Sequence, residues 1–210
     1  IEISTLGKND SEFMETALDS RAEERRGDYE HPSRPFDMYT DDERGAMILG
    51  AVKYATCLVV YDRMIGECSR LSHFYRGIEY IVQIWLDGRV RCSDDHCEVQ
   101  IVTRAGSGSA GISGQGLEQT CAEIETRLCR PLEKKLGVSI SLQVKKQSEK
   151  FHARHLGCRG RAFQFDRGFD LFLGTGSQRD GVARNFVRPD LAGEPHLDEI
   201  RRIKTLYPVS

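Results

Sequence analysis

His152 and Arg154 stand two positions apart inside the most basic stretch of the chain. From Lys145 to Arg161, six bases and two histidines face a single acid, Glu149. In a strand, residues i and i+2 share a face, so both side chains are directed at one spot. An imidazole beside a guanidinium is biased towards its neutral form and can serve as a nucleophile or proton shuttle at phosphorus. The guanidinium fork holds phosphate oxygens in pairs. Lys145, Lys146, Lys150, His155 and Arg159 add an anion-binding surface around them; the competing use of the lysines is a solvated hairpin rim. Two carboxylates suit the support of His152. Asp62 ends a β-prone run, where ligands of open α/β sheets bind, and Arg63 follows it. Asp170 lies between apolar residues and needs a basic partner, which Arg154 or Arg167 can supply.

Two other patterns carry less. Gly106-Ser-Gly108-Ser-Ala-Gly111 fits a dinucleotide fingerprint, yet it falls inside a longer loop with Gly114 and Gly116, and no helix opens directly on it. It reads as a flexible loop with backbone N–H groups to offer an anion. The seven cysteines are odd in number and match no disulfide framework, which points to a reducing, cytoplasmic setting. Cys92-Ser-Asp-Asp-His96-Cys97 lacks a second Cys/His pair at zinc spacing and reads as a polar turn. Neither a metal nor a cofactor is expected.

The elements that must position these groups are legible from periodicity. A helix is expected from Asp41 to Tyr54, with Asp41, Asp42 and Glu43 capping and charging its start. Thr56–Tyr61 is a strand buried on both faces. Leu71, Phe74, Tyr75, Ile78, Val82 and Trp85 recur at spacings of three and four, an amphipathic helix stopped by Asp87-Gly88. Glu98–Thr103 is a second strand. After the glycine loop comes a helix with Leu117, Cys121, Ile124 and Leu128 on one face, kinked at Pro131 and ended by Gly137. Val138, Ile140, Leu142 and Val144 alternate as a third strand. Further strands are expected over His152–Gly157, Arg161–Phe165 and Phe169–Leu173, then a final helix over Pro195–Tyr207. The order implies an α/β sandwich with a mixed sheet.

Charge divides the 210 residues unevenly. Thirty bases nearly balance 32 acids, but residues 1–43 hold 13 acids and 5 bases, leaving a basic remainder. The chain is therefore read as an acidic helix and linker over 1–38, with a helix from Ser11 to Arg26, and a basic domain over 39–210. No run of 18 apolar residues exists to span a membrane. The start, Ile1-Glu2-Ile3, has no Met and no signal-peptide core, so a processed or truncated N-terminus is expected.

Three blocks, in order, resemble the C-terminal phospholipase-D-like domain of MIT-domain-containing proteins and its prokaryotic relatives. They are Val60-Tyr61-Asp62-Arg63 with the helix Leu71–Leu86, then Cys97–Val102, then His152-Ala-Arg154-His155 with Asp166-Arg167-Gly168-Phe169-Asp170-Leu171-Phe172. The last pair looks like the family's H-x-R and G-R-G-L-D-x-F blocks, and the likeness covers about Tyr39 to Tyr207. It implies a phospholipase-D-like mixed sheet with helices on both faces. Active members use H-x-K-x4-D; here Arg154 replaces the Lys and Arg159 stands at the Asp position. Active enzymes also assemble two motifs, in one chain or across a dimer, so a homodimer is the assembly expected. The eukaryotic relatives are regarded as non-catalytic binders of acidic phospholipids. The resemblance thus implies a phosphate-recognising module without turnover, its ligand an acidic lipid headgroup at a membrane periphery or a nucleic acid backbone. The alternative is a phosphodiesterase or nuclease with His152 as nucleophile, Arg154 holding phosphate, and Asp62 or Asp170 orienting the His.

Overall fold

The computed structural model describes residues 38–67, 71–90, 97–105, 114–147, 154–158, 161–165, 168–169, 187–189 and 199–208. All belong to the unit Pro35–Ser210. The leader helix, the glycine motif Gly106–Gly111, most of the Cys92–Cys97 cluster, and the site candidates Lys150, His152, Arg159, Arg167 and Asp170 lie outside the described residues.

Helix α1 spans Asp41–Val52. Its cap is Thr40 rather than the acidic run: Glu43 N–H donates to Thr40 Oγ1, and Thr40 N–H donates to the Glu43 carboxylate. This reciprocal arrangement satisfies two backbone donors that a helix start otherwise leaves orphaned. Asp41 and Asp42 charge the first turn instead. Thr40→Ala is expected to cost about 1 kcal/mol in chemical denaturation, with Thr40→Ser close to neutral.

Strand β1 (Cys57–Asp62) is followed by a short 3-10 turn, Ile65–Glu67, and by α2 (Leu71–Gly88). Leu71, Phe74, Ile78, Ile81, Val82 and Trp85 of α2 are buried, each burial contributing about 1.5–3 kcal/mol. The Trp85 indole N–H donates to the Ala55 carbonyl at 3.2 Å, which ties α2 to the entry of β1. Strand β2 (Glu98–Arg104) precedes α3 (Gly114–Ile124), which starts at Gly114 rather than after the glycine run. A π-helical turn, Glu125–Cys129, joins α3 to α4 (Arg130–Leu136). Pro131 explains it: the ring has no N–H and crowds the carbonyl four residues back, so the turn before it widens. Gly137 ends α4 at φ 67°, a left-handed cap that suits glycine.

Strands β3 (Ser139–Lys145), β4 (Arg154–Cys158), β5 (Arg161–Phe165), β6 (Val187–Pro189) and β7 (Thr205–Tyr207) complete the sheet. Among the described residues its order is β6-β5-β4-β1-β2-β3-β7. The central β1, β2 and β3 run parallel, and the remaining neighbours are antiparallel. The molecule is thus a mixed α/β protein with an open mixed sheet. One expectation fails in part. Among the described residues the C-terminal helix covers 199–202 and does not reach Tyr207, because Thr205–Tyr207 is a β-prone triplet that pairs with the otherwise open edge of β3. Of the strand expected over Phe169–Leu173, Phe169 sits in a bend after Gly168, and residues 170–173 lie outside the described residues.

The strand registers sort the interior into two faces. Tyr61 is level with Val102, and these pack with Ala162, Val59, Ile200 and Ile203. Leu58 and Val60 alternate with them and share the opposite face with Val99, Ile101, Leu142 and Leu156, all nearly without solvent contact. The helices pack among themselves, α1 and α4 each on α2, while α4 also meets β3 and α1 meets β4 and β5. No helix among the described residues is long and apolar enough to cross a membrane.

Candidate anion site at the carboxyl edge of the sheet

Because β1, β2 and β3 are parallel, their last residues line one edge: Asp62 and then Arg63, Thr103 and Arg104, and Lys145. Strand β4 runs the other way, so its first described residue, Arg154, sits at that edge as the direct partner of Asp62. The end of β5 and the Gly168-Phe169 bend after it complete the group.

Asp62 is fully buried. Its Oδ1 accepts the Met64 N–H at 2.8 Å and its Oδ2 accepts the Phe169 N–H at 3.1 Å. The carboxylate therefore stitches the turn after β1 to a bend 107 residues further along the chain. A directly opposed antiparallel pair shares a face, so Arg154 is on the Asp62 side. Gly168 fits between them with φ 87°, where a Cβ would stand 2.1 Å from Asp62 Oδ2 and 3.2 Å from Arg154 Cδ. Phe169 is buried beside Phe165, ring centroids 4.8 Å apart, which fixes the bend from its apolar side.

Further along the edge, Thr103 Oγ1 accepts the Gly66 N–H at 2.9 Å and so holds the 3-10 turn against β2. Arg104 Nη2 lies 3.7 Å from the Glu67 carboxylate, an ion pair without a hydrogen bond. Lys145 departs from the solvated rim suggested by the sequence: it is buried, and its ammonium donates to Thr205 Oγ1 at 2.7 Å. Burial holds that amine below the usual lysine range. Lys146, next along, is exposed.

The sequence-derived candidates thus divide. Asp62 and Arg154 are cross-strand partners, and Arg63 follows Asp62 at the same edge, half-buried. His155 is buried level with Tyr61, on the face opposite Arg154. Arg104, Thr103 and Thr205 were not picked out by residue type or spacing, and Gly168 stood in the last block without a role of its own. The carboxyl-edge rule that singled out Asp62 applies equally to Arg104 at the end of β2.

Among the described residues, no three metal-ligating side chains come together. Burial pushes the Cys57 thiol up to about 11 and the Cys129 thiol up to about 12, in each case with help from nearby glutamates, so neither is a thiolate nucleophile at neutral pH. The groups assembled at the edge are suited to holding an oxyanion: guanidinium and ammonium donors fixed by hydrogen-bonded backbone. No family model matches the chain, and no curated protein matches it.

Proposed function

We propose that the chain is a phospholipase-D-like module, its sheet flanked by helices on both faces, that recognises phosphate groups at this edge without turning them over. The observation that carries the reading is the meeting of separated sequence blocks around one carboxylate. Asp62 from the first block, Arg154 from the H-x-R block and Gly168-Phe169 from the last block lie together. Blocks that share an architectural site have a reason to stand in that order; blocks matched by chance have none. Absence of turnover follows from Arg159, a base where active members of the resembled family carry the Asp.

Arg154 is the donor for the phosphate, and Arg63, which follows its partner Asp62 at the same edge, widens its field. The test is binding of the full chain to anionic vesicles and to single-stranded DNA and RNA at low salt. Affinity is expected to fall steeply with added salt, as phosphate contacts do. Arg154→Gln is expected to weaken binding by roughly ten- to a hundredfold, the worth of one charge-assisted contact, with thermal unfolding run alongside to confirm that the variant is folded. An unchanged affinity, or no affinity for any of these probes, would exclude the reading. Metal-independent cleavage of a phosphodiester that His152→Ala abolishes would replace it with the enzymatic alternative.

A further inference from the structure

We infer that Arg104 and Lys145 form a second, enclosed site for a single phosphate group, on the opposite face of the same edge from Asp62 and Arg154. The register places the two residues side by side at the ends of parallel β2 and β3, where partner side chains stand about 5 Å apart on one face. That face is the one carrying Tyr61 and Val102, since Arg104 is two residues beyond Val102. Asp62 and Arg154, one position out of phase with Tyr61 and His155, point the other way.

Both side chains are under-served for groups that carry full charge. The Arg104 side chain is 13% exposed, its buried Nε has no hydrogen-bond partner among the described residues, and its ion pair with Glu67 is long. Lys145 is 5% exposed and has a neutral hydroxyl as its hydrogen-bond partner, with no carboxylate within ion-pairing distance among the described residues. An ammonium has three protons to donate, and Thr205 takes one of them. Burying cations without full compensation costs stability. Such an expense is kept where a ligand supplies the missing anion. The lowered proton affinity of Lys145 agrees with a site built for an absent negative charge.

The geometry favours one phosphate over a polymer backbone. A polyanion lying across a surface is met by exposed lysines such as Lys146, whereas these two bases are withdrawn and adjacent, matching oxygens on one phosphorus. A free phosphate and the phosphate of a lipid headgroup offer the same chemistry. The inference stands on residues separate from Arg154, so the two readings can fail independently.

The experiment compares thermal unfolding of the wild type, Lys145→Met and Arg154→Gln in inorganic phosphate and in chloride at matched ionic strength. Phosphate is expected to raise the midpoint of the wild type and of Arg154→Gln. Lys145→Met should unfold at a higher temperature than the wild type in chloride, because an under-compensated buried charge is gone. Its affinity for phosphate should be at least about tenfold weaker. A merely structural lysine gives the reverse in chloride: losing its bond to Thr205 lowers the midpoint, and that result overturns the proposal. So does an equal phosphate increment in Lys145→Met and wild type, or none in wild type. An increment lost in Arg154→Gln alone also overturns it while leaving the first site standing. Flotation with phosphatidylcholine vesicles, with and without phosphatidic acid, identifies the source. Binding that needs phosphatidic acid and Lys145 assigns a lipid; a phosphate increment without flotation assigns the free anion. Equal loss of single-stranded DNA binding in Lys145→Met and Arg154→Gln would mean one continuous backbone track and would overturn the enclosed site.

Discussion

Asp62→Ala is expected to destabilise the domain by about 3 kcal/mol, a fall in unfolding midpoint of roughly 10 °C for a chain of this size. The figure follows from what the carboxylate holds. Phe169 N–H donates to Oδ2 in a buried setting, and Met64 N–H donates to Oδ1 where it is less enclosed. A buried donor stripped of its acceptor costs about 1–3 kcal/mol, with the smaller value applying where water can step in. The methyl group of alanine accepts nothing, so both donors are stranded. Asp62→Asn separates hydrogen bonding from volume. The amide has one carbonyl oxygen, so one of the two N–H groups meets an amino group instead, and roughly half of the loss should remain. Chemical denaturation of the three proteins measures this order. Identical stability for all three would show that Asp62 does not clamp the bend, and the convergence at the sheet edge would lose its anchor.

How much of this was open to a reading of residues depends on the range of the interaction concerned. Leu58–Tyr61 and the alternation of Ile140, Leu142 and Val144 are local patterns, and they specify β1 and β3 to within a residue or two. The spacing from Leu71 to Trp85 is equally local and gives α2. Gly137 as a left-handed cap and Pro131 as a disruption follow from backbone chemistry at single residues. What was missed is non-local. Thr205–Tyr207 becomes a strand because β3 presents an unpaired edge 60 residues earlier, which no window around Tyr207 contains. The opposition of Asp62 and Arg154 depends on the register of β4 against β1, set by packing of both faces and not by the spacing of either residue.

Lys145 is the instructive failure. Its place in a basic run with Lys146 and Lys150 offered a solvated hairpin rim as the use competing with anion binding. Yet the ladder between β3 and β7 shifts register between Val144 and Lys145, and the lysine stem is buried while its amine reaches Thr205. Long basic side chains can bury their methylenes in this way without leaving the edge of the sheet. A charge count along the chain sees the lysine but not its burial.

Gly168→Ala should be about as damaging as the loss of Asp62, at about 3 kcal/mol, and for a reason that couples the two positions. One part is the backbone: at φ 87° an L side chain costs roughly 1–2 kcal/mol. The rest is contact. The new methyl would stand 2.1 Å from Asp62 Oδ2 and 3.1 Å from its Cγ, with Arg154 Cδ at 3.2 Å. Neither carboxylate oxygen can retreat without giving up a backbone N–H, because Met64 and Phe169 hold them from two directions. The bend must therefore move, carrying Phe169 off Phe165 and disturbing the surroundings of Arg154. Stability and Arg154-dependent phosphate binding should fall together. A double-mutant cycle separates the parts: with Asp62→Ala in place the obstructing oxygen is gone, so adding Gly168→Ala should cost no more than its backbone share. The coupling expected is about 1–2 kcal/mol, within the range for residues in contact. Strict additivity would show that Gly168 and Asp62 do not meet, and that the last sequence block reaches this edge by some other route.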